Sequence, residues 1–322
     1  MAKTGKTARL KVDALIMCGD KGASRPVVGK SKAFLKIAGV PLFIHVLRAV
    51  EGARGVGRIF IVGDKKRLDS DLLQYRKGEP GGKRVVTLEQ WGNLLANVWH
   101  GFLATIDRYE PGREETDKYL REKAVFLVSG DVPLLSSEEV DEFLGAADME
   151  KKDYVTGITS EETLKNYYPR DGAPGIRMSY FHLREGLFRV NNMHLAKPFI
   201  VANRGLIQLA YEARYQKKLR NVLWFAWKLI AMRATGRCLW IYFLMHTALT
   251  ARRMGLTGVA EFLRNRVSTR DLEKVIGSLL KLRMGSVITL SGGSALDVDN
   301  ERDYIVISEM FEKWKAMQTR GM

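Results

Sequence analysis

The sequence predicts an α/β fold, a largely parallel sheet wrapped by helices, with an all-helical block set into it toward the C-terminal side. Three observations carry that expectation. Short apolar runs at 12–17, 58–62, 85–88 and 124–128 alternate with segments that read as helical. Such alternation is the pattern of parallel strands joined by helical crossovers. The first and last of these runs end in glycine- and charge-bearing loops, Cys18-Gly19-Asp20-Lys21-Gly22 and Ser129-Gly130-Asp131-Val132-Pro133. The C-terminal end of a buried strand is where open α/β sheets hold ligands. Residues 202–283, in contrast, carry helical patterning with no strand among them.

Taken in order, residues 1–11 are a flexible basic arm, and Val12–Met17 is a strand apolar enough to be buried. Pro41 opens a helix whose Leu42, Val46, Leu47 and Val50 lie on one face. Arg58–Val62 is a strand and Lys65–Arg76 a charged helix. The turn cluster Gly78-Glu79-Pro80-Gly81-Gly82 precedes a strand at Val85–Leu88. Trp91–Ile106 is helical, Glu110–Glu122 a polar loop, and Ala124–Val128 a fully apolar strand. Ser136 with Glu139 has the form of a capping box, so a helix starts there. Tyr154–Ile158, the alternating Ile176–Leu183 and Leu187–Val190 follow as strands, and Asn191, Asn192 and His194 come after them. Residues 202–283 read as four or five helices, with Ser268 capping one of them. Gly285–Leu290 returns to a strand pattern, and Asn300 starts the last helix. The domain plan is a basic arm at 1–11, an α/β core at 12–201, a helical insertion at 202–283, and a return to the core at 284–322.

The chain of 322 residues and 36.4 kDa is long enough for a sizeable core, and 46% apolar content is ordinary for a globular protein. A formal charge of +16 suits anionic partners such as nucleotides, phosphorylated acceptors, nucleic acid or an acidic membrane, with a solvated basic surface as the alternative. No nucleic-acid-binding module accompanies that charge, so no specific nucleic acid is expected. Cys18 and Cys238 form neither a disulfide framework nor a zinc pattern, which points to a reducing cytoplasm. The opening MAKTGKTARLK lacks the apolar centre of a signal peptide. The longest uncharged run, Cys238–Ala251, is too short for the roughly 20 residues a bilayer span needs. Buried helices in a packed lid account for the apolar content of the insertion. Its alternative is peripheral contact with an anionic membrane at the inner face, through Trp224, Trp227 and Trp240 beside Lys228, Arg233 and Arg237.

The opening loop suits a polyphosphate, because glycines let backbone N–H groups approach phosphate oxygens while Arg25 and Lys32 neutralise them. It has neither G-x-x-x-x-G-K-[ST] nor G-x-G-x-x-G running into a helix. It resembles the signature of the nucleotidyltransferases related to the molybdenum-cofactor guanylyltransferase and the sugar-1-phosphate uridylyltransferases. Gly19-Asp20-Lys21-Gly22 and Arg25 match their glycine-rich loop, Lys32 their lysine, and Gly39-Val40-Pro41-Leu42 the segment after it. Asp20 stands where the family has a second glycine, and one residue is added before Arg25. Glu89-Gln90-Trp91-Gly92-Asn93 with Ala96 resembles the segment that helps those enzymes read the base, while Thr87 stands where the uridylyltransferases carry a base-contacting Gln. Gly130-Asp131-Val132-Pro133-Leu134 resembles the segment whose Asp holds Mg²⁺. Asp297-Val298-Asp299-Asn300-Glu301-Arg302-Asp303-Tyr304 resembles the ending in which a second acidic residue joins that metal.

The resemblance implies a three-layer α/β/α sandwich with a mostly parallel mixed sheet, the GT-A-like nucleotide-diphospho-sugar transferase fold. It implies nucleotide binding by Cys18, Gly19, Asp20, Lys21, Gly22, Arg25, Lys32, Gln90, Gly92 and Asn93. Arg25, Lys32 and Asp131 are the implied catalytic groups, and Asp131 with Asp299 the implied Mg²⁺ ligands. Asn192, with Asn191 open as the alternative, is the implied acceptor-binding residue. His194 is a further candidate, for an acceptor phosphate, against the plainer role of a satisfied structural histidine. The implied reaction moves an NMP from an NTP to a phosphorylated small acceptor with release of pyrophosphate. Two other classes stay open: a nucleotide-binding regulatory or scaffold protein without turnover, which a carboxylate at Asp20 would favour, and a glycosyltransferase using Asp297-Val298-Asp299. The base and the acceptor are not identified by the sequence.

Overall fold

The structure, a computed structural model, describes residues 11–21, 26–76, 82–205, 207 and 236–320. The expectations placed on the arm 1–10, Gly22, Arg25, Trp224, Trp227, Lys228 and Arg233 lie outside the described residues, as does the side chain of Arg237. Strand β1 (Val12–Met17) takes a central place in an eight-stranded sheet. Ala14 and Ile16 point into one helical layer and Leu15 into the other, and none of the three reaches solvent. Only an apolar run can occupy such a strand, which explains why it is legible without alternation.

A turn of 3₁₀ helix at Lys32–Phe34 leads to the two-residue strands β2 (Lys36–Ile37) and β3 (Val40–Pro41), then α1 (Leu42–Gly52). Next come β4 (Val56–Gly63), α2 (Lys65–Tyr75), β5 (Val85–Glu89) and α3 (Leu94–Ala104). Where a polar loop is expected, the chain makes two short helices, α4 (Arg113–Thr116) and α5 (Lys118–Arg121). They precede β6 (Val125–Ser129), α6 (Ser137–Ala146), β7 (Tyr154–Ser160) and α7 (Glu161–Leu164). The hairpin β8 (Phe181–Leu183) and β9 (Gly186–Ala196) is followed by α8 (Gly236–Arg253), α9 (Thr257–Arg264) and α10 (Thr269–Leu280). Strand β10 (Met284–Thr289) and α11 (Glu301–Arg320) complete the described chain. Ser268 caps α10 with a full capping box, as its sequence suggests.

The strand order is β10-β7-β9-β6-β1-β4-β5, with β8 paired to β9. Pairing is parallel throughout except that β9 runs antiparallel to β6, β7 and β8. This is the expected mostly parallel mixed sheet. Met17 lies opposite both Val62 and Ser129, so β1, β4 and β6 end at one level. The chain builds outward from β1 through β4 to β5 and then crosses to β6. The crevice at such a switch in direction is where α/β sheets bind ligands.

Helices α1 and α6 pack on one face of the sheet, with Val46, Leu47, Val50 and Phe143 against Ala14, Ile16, Ile61 and Val128. On the other face, α3 covers β1 and β4 through Phe102, Leu15 and Phe60. Ile241 and Leu244 of α8, and Val267 in the link between α9 and α10, pack with Ile158, Leu183 and Phe188 of β7, β8 and β9. No helix among the described residues is long and apolar enough to cross a membrane.

Two strand expectations change. Residues 176–180 leave the sheet, tied by Ile176 N–H to Tyr167 C=O at 2.8 Å, so only Phe181–Leu183 pairs. Strand β9 does not stop at Val190 but continues through Asn191, Asn192 and His194, since β6 and β7 both offer it partners. The asparagines therefore lie within a strand rather than after one.

Candidate active site

The loop after β1 is built against the end of β5. The Gln90 carboxamide oxygen accepts from the backbone N–H of Asp20 at 2.8 Å and of Lys21 at 3.3 Å. Its amide nitrogen donates to Asp20 Oδ1 at 2.8 Å. Gln90 is buried, and Gly19 lies so close to it that a Cβ there would stand 2.6 Å from Asn97 Nδ2 and 3.3 Å from Gln90 Oε1. Asn97 in turn accepts from the Trp91 N–H at 2.5 Å. Gln90 thus holds the phosphate-type loop, a role that its sequence context does not show. Asn93 is exposed, and its side-chain oxygen caps α3 by accepting from Ala96 N–H at 2.9 Å. Gly92 has open space where a side chain would be, and the Lys21 side chain is exposed. Thr87 bonds Asp69 and Lys65.

The Asp20 carboxylate is therefore turned sideways onto Gln90 as a staple of its own loop. Asp20→Ala and Gln90→Ala are each expected to weaken nucleotide binding several-fold, since a hydrogen bond of this kind contributes about 0.5–1.5 kcal/mol. The double variant should be little worse than either single one. Calorimetric titration with an NTP measures this. Tighter binding by Asp20→Ala would instead mean that the carboxylate repels the triphosphate.

At the end of β6, Asp131 is held by Ser129, whose hydroxyl donates to Asp131 Oδ1. The adjoining Gly130 is required by close approach, because a Cβ there would meet Cys18 Sγ at 2.5 Å and Met17 C=O at 3.1 Å. Cys18 accordingly lies beneath the site: it is buried, and burial first and then Asp131 push its thiol well up. Lys32, 8% exposed, reaches between two carboxylates, 2.8 Å from Asp299 Oδ1 and 3.8 Å from Asp131 Oδ2. Val298 N–H donates to Asp131 C=O at 3.1 Å and ties the two acidic segments together. Burial, followed by the nearby Asp297 carboxylate, raises Asp131 to about 6 against the opposing pull of Lys32. The structure thus brings together Cys18, Lys32, Asp131 and Asp299 from distant parts of the chain.

Beyond Asp299 lies a cavity of about 170 Å³ whose lining includes Arg177, Ser179, Arg189, Asp297, Asn300 and Asp303. Arg189 bonds Asp297 at 2.9 Å and the Ala295 carbonyl at 3.2 Å. Arg177 lies over the Tyr168 ring at 5.4 Å. Asn192 sits nearby but spends its amide N–H on the Ser294 carbonyl at 3.1 Å. Asn191 is buried and bonds Thr159 and Thr289, which removes it as an acceptor ligand. His194 is corrected too. Register places it opposite Leu127 and Thr156, inside the sheet. Its Nδ1 lies 3.0 Å from the hydroxyls of both Tyr154 and Thr156, and burial lowers it to about 4. A neutral ring pinned mid-sheet is a structural histidine, not a cation for a phosphate.

A family model for the MobA-like NTP transferase domain matches residues 14–229. The chain belongs to that family. Among curated proteins, the NTP transferase domain is similar to the 2-C-methyl-D-erythritol 4-phosphate cytidylyltransferase of Chlorobium luteolum, 28% identical over 138 residues. That match covers 42% of this chain, and the chain spans just over half, 54%, of the relative's length. Among solved structures, a hypothetical transferase from Thermus thermophilus has a TM-score of 0.56 at 23% identity, covering 91% of this chain and 99% of that one. At that identity the likeness establishes a shared fold, including the α/β/α layering.

The NTP transferase domain presents hard oxygen donors for the Mg²⁺ its family implies. Among the described residues, no group of three or more His, Cys, Asp or Glu side chains is arranged as a ready metal site. That is compatible with Mg²⁺, which is bound by one or two carboxylates with water and substrate phosphates rather than by an all-protein cage. The Lys32 ammonium between Asp131 and Asp299 is itself an observation that the position attracts a cation. The residues fit. Arg177, Arg189 and Ser294 escape the sequence reading. Asp297 and Asp303 carry a signal, as acids of the segment from Asp297 to Tyr304.

Proposed function

We propose that the protein is a nucleotidyltransferase that moves an NMP from an NTP to a phosphorylated small acceptor, with Mg²⁺ as cofactor. The observation that carries this reading is the facing of Asp131 and Asp299 across Lys32, at the strand edge that also bears the stapled glycine loop. An acceptor phosphate oxygen attacks the α-phosphorus, the bond from that phosphorus to the bridging β-oxygen breaks, and pyrophosphate leaves with the electron pair. No general base is needed, because a phosphate nucleophile is already ionised at neutral pH. Asp131 and Asp299 would hold the metal, which when bound would supply charge neutralisation and orientation of the phosphate oxygens. Lys32 exchanges part of its carboxylate contact for phosphate oxygens, and Arg25 adds charge from the loop. Arg177 and Arg189 at the cavity beyond Asp299 suit a phosphorylated acceptor, the class named for the Chlorobium luteolum relative.

Two features favour this over a binding protein without turnover. The Asp20 carboxylate is bonded to Gln90, so its presence no longer argues against a bound triphosphate. The Asp pair and Lys32 are also more than nucleotide affinity alone requires. A screen of four NTPs against phosphorylated acceptors with Mg²⁺, read by pyrophosphate release, is expected to give one productive pair. NTP binding without release for any pair would favour the scaffold reading, and transfer from a nucleotide-sugar would favour the glycosyltransferase reading.

A second reading concerns the origin of the acceptor. The outer side of α8 and α9 exposes Trp240, Phe243, Leu256, Val259 and Phe262, and Arg266 lies 4.6 Å from the Phe262 ring centre. An apolar face edged by cations is what a peripheral contact with anionic lipid uses. This reading, set against the plainer one of a packed lid, requires flotation with anionic but not neutral vesicles, reduced by salt and by Trp240→Ala with Phe262→Ala. Absence of flotation at low salt would leave these helices as packing alone.

A further inference from the structure

Glu139 plays no part in the chemistry above, yet its place in the fold demands an explanation. Its sequence context suggests a capping box, in which Glu139 would reach back to the Ser136 N–H. Only half of that box forms. Ser136 Oγ accepts from the Glu139 N–H at 3.2 Å, while the Glu139 side chain turns inward and is fully buried. Burying a carboxylate costs several kcal/mol unless donors compensate it. The compensating donors are the Thr289 hydroxyl at 3.2 Å, the Ser294 hydroxyl at 2.6 Å and the Ser294 N–H at 3.0 Å.

These donors lie on the last residue of β10, Thr289, and on Ser294 in the segment that leaves it. The same segment is gripped from the β9 side, where Asn191 Nδ2 donates to Thr289 Oγ1 and Asn192 Nδ2 to the Ser294 carbonyl, each at 3.1 Å. Ser294 is thus held at its N–H, its hydroxyl and its carbonyl. A few residues later the chain presents Asp297 and Asp299, with Val298 N–H docked on the Asp131 carbonyl. The buried carboxylate on α6 is hydrogen-bonded to the short stretch of backbone that leads to the metal-type carboxylates.

We propose that Glu139 is a positioning residue that, through Ser294, fixes Asp299 opposite Asp131 and thereby sets the affinity of the site for a divalent cation. The cation part rests on the function proposed above; the clamp on residues 293–299 does not. Glu139 touches neither the cation nor the substrate. It acts by removing the freedom of the turn that carries Asp299, and groups that orient metal ligands in this way are worth about 10–100-fold in metal affinity.

The test uses the full chain and two readouts. Without metal, Glu139→Gln and Ser294→Ala are expected to speed amide hydrogen exchange at 293–299 at least ten-fold while leaving β1 unchanged. With Mn²⁺ as the probe, titration followed by electron paramagnetic resonance should show about 10–100-fold weaker binding in each variant. The double variant should be weaker than Ser294→Ala but little weaker than Glu139→Gln, because Ser294→Ala removes one of the three hydrogen bonds that the Glu139 carboxylate accepts. Phe102→Leu, a core change on the other face of the sheet, should lower thermal stability without altering Mn²⁺ affinity. Wild-type exchange at 293–299 in both variants would overturn the clamp. Faster exchange with unchanged Mn²⁺ affinity would overturn its role in setting that affinity. Faster exchange in a protein whose wild type binds no Mn²⁺ would overturn the metal reading and leave the clamp standing as a purely structural device.

Discussion

Asp131→Asn is expected to lower pyrophosphate release by roughly 10²–10³-fold, the scale on which loss of one preorganised electrostatic group acts, while making the resting protein no less stable. Both halves follow from the same burial. Asp131 is 15% exposed, and it stands near Asp297 and Asp299 with Lys32 as the compensating cation. Its carboxyl is raised to about 6 from the ordinary 3.8, so the folded state binds more protons than the unfolded chain between those values. Stability therefore falls as pH rises through that window. An Asn does not titrate, so the variant escapes this loss. Its gain should be present at pH 7–8, at most of order 1–3 kcal/mol, and absent below about pH 4. Thermal melts of the two proteins across pH 4–8 measure it. A variant less stable than wild type at pH 8 would show that the Asp131 carboxylate is a structural anchor, not a strained functional group.

Lys32→Met is expected to cost both stability and function. The sequence alone suggests a phosphate ligand whose loss spares the fold. The structure instead places the ammonium, 8% exposed, against Asp299 and close to Asp131. Removing one partner of a fully buried ion pair costs about 3–5 kcal/mol; here the Asp299 side chain is 33% exposed, so solvent screening holds the loss below that range. Part of that cost can be relieved by protonating Asp131, so the loss should be larger at pH 8 than at pH 5. A divalent cation should restore part of it, because it supplies positive charge to the same carboxylates. NTP affinity should fall about ten- to a hundred-fold, the effect of losing one charge-assisted contact. Equal stability of variant and wild type at pH 8 would contradict the ion-pair geometry.

The parts of this protein legible in sequence are those whose physics is local. The apolar run at 12–17 reads as a buried strand, and Asp131 follows another such run at the edge where parallel sheets hold ligands; the structure has strands at both places. Resemblance supplied Asp299, far along the chain from Asp131, because no local rule connects them. Most of what the sequence does not show depends on long-range partners that no short window contains. Gln90 reads as a base contact until it is seen to bond Asp20, far back along the chain; Asn93 is the exception, since its partner Ala96 lies in the first turn of α3. Glu139 satisfies a capping pattern yet bonds Ser294. His194 lies beside asparagines that look like a loop, but β6 and β7 extend the strand through all of them.

The most direct test of the account is ³¹P nuclear magnetic resonance of one reaction mixture holding protein, Mg²⁺, an NTP and a phosphorylated acceptor. The account predicts that the three NTP resonances decline together while a pyrophosphate signal and a coupled pair of diphosphodiester signals rise in equal amount, in wild type but not in Asp131→Asn. Conversion of the NTP to NDP and inorganic phosphate, or diphosphodiester formation by Asp131→Asn at the wild-type rate, would contradict it.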